Sequence, residues 1–125
     1  MIERDRHDPD VPMYSYTAEQ AVEDGVLVEV DRNLCKEAGY RWPVRITQGV
    51  AALAQPTEEE ERQGQSVEGR LWDMLFMARI AILNTDRHET ISPFDVIFGA
   101  ESVNLWACLD GTSGPAIHII LPHEY

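Results

Sequence analysis

The stretch GRLWDMLFMARIAIL, Gly69–Leu83, decides the fold. It is mostly apolar, and Asp73 and Arg79 interrupt it. A membrane span needs about 20 consecutive apolar residues, and this run is shorter and charged in its middle, so it is not an anchor. At about 100° per residue, Leu71, Met74, Leu75, Ala78, Ala81 and Ile82 fall on one broad stripe. Trp72, Phe76 and Leu83 form a second stripe beside it, and Met77 and Ile80 lie near the remaining face. A helix apolar around most of its circumference is buried on more than one side. The pattern therefore predicts a core spine from Ser66, a good N-cap, to about Asn84, with a sheet on one side and other helices on another.

Downstream of this helix, SPFDVIF, ESVNLWACLD and PAIHIILP are three segments of strand length. Gly99 and the run from Asp110-Gly111 to Gly114 separate them, and short glycine-bearing links point to antiparallel pairing. Strands are expected near Phe94–Phe98, Val103–Leu109 and Ala116–Leu121. Helices first and a meander after is an α+β plan: short N-terminal helices and one long buried helix packed on a C-terminal three-stranded antiparallel sheet.

Upstream, Met1 to Pro12 is charged and holds two prolines, which predicts a flexible arm ahead of a single domain over 13–125. Thr17 with Gln20 makes a capping box for a short helix, TAEQAVED, that stops at Gly25. GVLVEVD reads as a short strand or extended segment. Asn33 to Ala38 forms a brief helix closing at Gly39, PVRI is extended, and Thr47 caps QGVAALAQ, which ends at Pro56. TEEEERQGQS is the least structured part by composition, a solvated loop or helix face.

With 125 residues the chain is one domain's worth, long enough for one continuous core. There are 22 acidic and 10 basic residues, a formal net charge of −12. Fifteen of the acidic side chains lie in Met1–Glu68. Such a surface repels phosphate backbones and suits basic partners, which argues against direct nucleic-acid binding. The opening MIERDRHDPD is polar, without the apolar run of a leader. The chain is accordingly expected to be cytoplasmic, with Cys35 and Cys108 as reduced thiols.

No residue pattern calls for a cofactor or a metal. There is no Gly-x-Ser-x-Gly, phosphate-cradling glycine loop or HExxH, and no cysteine with an arguable histidine partner. The two DRH[DE] tetrapeptides, at 5–8 and 86–89, sit in charge-rich segments without a second ligand at helical spacing. Arg79 shares a side with Trp72, where its stem can pack on an aromatic ring or its head can line a pocket. His118 lies in the middle of the last strand.

The blocks AVEDGVLVEV, EAGYRWPVRIT and GRLWDMLFMARIAI, with the closing IHIILPHEY, resemble a family of small proteins carried by bacterial phages, plasmids and other mobile elements. The similarity spans roughly Tyr14 to the end and implies a setting more than a chemistry. Small acidic proteins of that setting resemble inhibitors of host defence, of the anti-CRISPR or anti-restriction type, which place carboxylates where phosphates would sit. The expected function is thus a non-enzymatic factor binding a protein with a basic surface, through Glu58, Glu59, Glu60 and Glu61 with Glu19, Glu23 and Asp24. A second reading is a small enzyme or ligand-binding domain using Trp72, Arg79 and His118 around a cleft between helix and sheet. A third is a homodimer or larger homo-oligomer that pairs an exposed sheet face or edge with itself.

Overall fold

A computed structural model of the chain describes residues 26–86, 88–111 and 114–125. The expected arm at 1–12 and the helix begun by Thr17 lie outside the described residues. In chain order the elements are β1 (Leu27–Glu29), α1 (Arg32–Glu37), β2 (Val44–Thr47), α2 (Gln48–Leu53), α3 (Glu58–Arg62), α4 (Val67–Leu83), β3 (Ile91–Phe98), β4 (Glu101–Asp110) and β5 (Ala116–Ile120). A 3-10 turn, Pro122–Glu124, follows.

The sheet corrects the expected one. It has five strands in the order β1-β2-β5-β4-β3 and is mixed, not three-stranded and antiparallel. The three C-terminal strands do pair antiparallel, Phe94 opposite Leu105 and Ala107 opposite Ile119. But β2 joins β5 in parallel, with Ile46 opposite Ile119, and β1 joins β2 antiparallel, with Val28 opposite Ile46. No turn announces a parallel pair, because its strands are joined by a long crossover. Here the crossover holds three helices and a whole hairpin, and neighbouring residues carry no trace of it.

The same capping rules that place the helices also decide between loop and helix face for the acidic stretch. Thr47 Oγ1 accepts from Val50 N, and Ser66 Oγ accepts from Gly69 N, so α2 and α4 start where their hydroxyls stand. Thr57 and Glu60 form a reciprocal capping box, Thr57 N donating to Glu60 Oε1 (2.9 Å) and Glu60 N to Thr57 Oγ1 (3.1 Å). TEEEER is therefore an ordered helical turn, and its carboxylates sit at the positive end of the helix.

One side of the sheet carries the core. Val44, Ile46, Phe94, Val96, Phe98, Leu105, Ala107, Ile117 and Ile119 face Leu34 and Cys35 of α1, Val50 of α2, and Met74, Leu75 and Ala78 of α4. Leu71, Ala81 and Ile82 flank that contact, so the first predicted stripe is the inner one. Tyr40 Oη donates to Leu75 O at 2.7 Å, tying the α1–β2 link to the middle of α4. The far side of the sheet is held at one end by the C-terminus. There Tyr125 lies 5.7 Å from the Trp106 ring, and Glu124 Oε1 accepts from Thr47 Oγ1 and Leu121 N.

A second correction concerns α4. It is buried on one side only. The stripe read as its second buried side faces out, because α1 and α2 pack on the sheet ahead of it and not over it.

Candidate contact surface on helix α4

On a helical wheel the direction opposite Met74, Leu75 and Ala78 is occupied by Gly69, Trp72, Phe76, Ile80 and Leu83. A helix lying on a sheet ordinarily carries charged residues there. In α4 the outward side chains are Trp72 (37% exposed), Phe76 (52%), Met77 (37%), Ile80 (39%) and Leu83 (67%). Glu68 and Arg79 flank them on one side, and Asp73 stands among them, between Ile80 and Met77 on the wheel. Single exposed apolar residues mean little, but five along one helix make a continuous apolar strip.

The N-terminal end of this strip opens into a groove of ≈ 450 Å³, lined by Gln65, Gly69, Arg70, Trp72, Asp73 and Ile97 among others. Arg70 does not offer its charge there. Its guanidinium is buried over the Phe98 ring and bonded to Gln65 Oε1, Leu53 O and Glu60 Oε1. The groove is thus of mixed character, closed on one side by a neutralised arginine, with Asp73 as its exposed charge.

The acidic residues divide. Glu58, Glu59 and Glu61 are exposed, Glu59 bridging to Arg62 at 2.9 Å. Glu60 is half-buried and structural. The Thr57 backbone N–H holds its carboxyl below the usual carboxylate range, and Arg70 adds to this. Glu19, Glu23 and Asp24 lie outside the described residues.

Trp72, Arg79 and His118 are not brought together. Trp72 lines the groove. Arg79 lies against Gly39, whose positive φ of 96° turns the chain after α1 and whose missing side chain leaves room for the guanidinium. His118 is on the far face of the sheet, since Ile117 and Ile119 point into the core and strand side chains alternate. There His118 Nε2 is 3.6 Å from Asp110 Oδ2, and Arg45, itself 3.6 Å from Glu29, is its neighbour on β2. Burial pushes the His118 pKa down, against the pull of Asp110.

The pairing of β4 with β5 also sets Cys108 directly opposite His118, a cysteine–histidine juxtaposition hidden in the sequence because ten residues separate the two. It is not an activated nucleophile. Burial pushes the Cys108 thiol up to about 11, so it stays protonated at neutral pH. Cys35 is buried on the core side, so the two free thiols are separated by the sheet. Among the described residues, no group of three His, Cys, Asp or Glu is placed to hold a metal ion. Among them too, no helix is long and apolar enough to cross a membrane.

The sequence reading missed Gly69, Ile97 and the outward role of Phe76, Ile80 and Leu83. The signal was present, a helix apolar all round, but it was read as double burial. No family model, curated protein or solved structure matches this chain.

Proposed function

We propose that this chain is a non-enzymatic, acidic binding factor that docks on another protein through the outer strip of α4, with Glu58, Glu59 and Glu61 at the rim. The observation that carries this reading is the exposure of Trp72, Phe76, Ile80 and Leu83 along one helix. Interface cores are enriched in such aromatic and aliphatic anchors, surrounded by a polar rim. The net charge of −12 selects a partner with a basic surface over a second copy of the same acidic chain. If the setting is the mobile element that the sequence resembles, a host defence enzyme that handles nucleic acid, in the cytoplasm, fits that description.

The test begins with capture of a partner from bacterial lysate, its identification, and its purification. Affinity is then measured for the native chain, for Phe76→Ser/Ile80→Ser, and for Glu58→Gln/Glu59→Gln/Glu61→Gln. The expected result is a basic partner whose binding is abolished by the first variant. The second should slow association and flatten the salt dependence, since exposed charges are screened over about 8–10 Å at moderate ionic strength. Binding untouched by both variants would remove α4 and the rim from the contact. Self-association of the purified chain, lost in the first variant, would make the partner a second copy.

A further inference from the structure

The geometry points to a cation notch at the N-terminal end of α4, which receives an arginine side chain of the partner protein between the Trp72 indole and the Asp73 carboxylate. The inference deepens the reading above and rests on it for the identity of the ligand. Residues three and four apart on a helix are neighbours, so Trp72 and Asp73 both flank position 69. Helical side chains lean toward the N-terminus, which sets the two on either side of that position, and both line the groove. A glycine stands there. The backbone does not require one: φ is not positive, and among the described residues an added Cβ would meet only Ser66 Oγ, at 3.1 Å. Glycine inside a helix is unfavourable relative to alanine, and here it leaves open the floor between an aromatic face and a carboxylate. Ile97 lines the same groove.

Those walls select the ligand. An anion is disfavoured by Asp73, because the nearby Arg70 is already held by Glu60 and Gln65. A purely apolar group would gain nothing from the carboxylate. A planar guanidinium stacks on an indole and forks onto a carboxylate at once, which an ammonium does less well. The chain's charge draws such a side chain from a basic partner.

The probe is the blocked tripeptide acetyl-Gly-Arg-Gly-amide, with citrulline in place of arginine as the neutral isostere. Binding is followed by the Trp72 indole N–H resonance, assigned by its absence in Trp72→Phe, and by the amide of Gly99, which also lines the groove. The expected result is a concentration-dependent shift at both with the arginine peptide, and none with citrulline. Asp73→Asn should lose the shift. Gly69→Ala should fold normally and lose it too, because a methyl group fills the floor. Equal shifts with citrulline, no shift at tens of millimolar, or full binding by Asp73→Asn would each overturn the notch. Failure here with partner binding still abolished by Phe76→Ser/Ile80→Ser removes the notch alone. A responsive notch with unaffected partner binding removes the broader docking reading instead.

Discussion

The two sides of α4 are nearly equal in hydrophobicity and opposite in environment. Met74, Leu75 and Ala78 have no exposed surface, while Phe76 and Leu83 are each more than half exposed. Composition does not distinguish these sides; what lies across from them does. The inner side meets β3 and β4, and the outer side meets no element comparable to the sheet among the described residues. An apolar residue on a helix is thus evidence of a contact without being evidence of an internal one.

The largest expected effect sharpens that contrast. Leu75→Ala should lower the unfolding free energy by about 2–5 kcal/mol, as truncation in a packed core does, whereas Phe76→Ala, one residue on, should stay within about 0.5–1 kcal/mol. Denaturant unfolding of both variants checks this, and equal losses would make the outer side a second core. Next is Arg70→Ala, which strands Gln65 and the Leu53 carbonyl and strips Phe98 of its cover. A loss of about 1–3 kcal/mol is expected for buried polar groups left unpaired, with the α3–α4 junction the first region to gain amide exchange.

A smaller effect extends the comparison to the two faces of the sheet. The centre of the core face is apolar, while the far face holds Arg45, His118 and Asp110. Burial holds the folded pKa of His118 below its ordinary value of 6.5, so the folded protein resists protonation more than the unfolded chain. The associated stability is complete above 6.5 and is lost as pH falls through the lower folded value. Thermal melts of the native chain and of His118→Gln between pH 7 and 5 should show a shallower decline in the variant. Parallel declines would mean that His118 titrates as if in water.

Much of this architecture was legible in local signals. Ser66 and Thr47 marked helix starts because a hydroxyl cap acts on N–H groups two or three residues away. Alternation in β3, with Ser92, Phe94, Val96 and Phe98 inward, was equally local. What escaped was long-range. The parallel pairing of Val44–Thr47 with Ala116–Ile120 joins residues about seventy apart, and no periodicity encodes it. The capping box at Thr57 is equally local, since Thr57 and Glu60 stand three residues apart. In the candidate surface, Trp72 was visible as a residue and Gly69 was not, since a missing side chain has meaning only beside its neighbours.

The most direct measurement uses two methionines three residues apart on α4. Met74 is fully buried and Met77 is exposed, and oxidation of methionine to the sulfoxide follows access. Native protein treated with dilute hydrogen peroxide and mapped by peptide mass spectrometry should show Met77 oxidised, with Met74 protected until denaturant is added. Equal protection of both would show that the outer side of α4 is covered in the folded chain, and that its apolar strip is core.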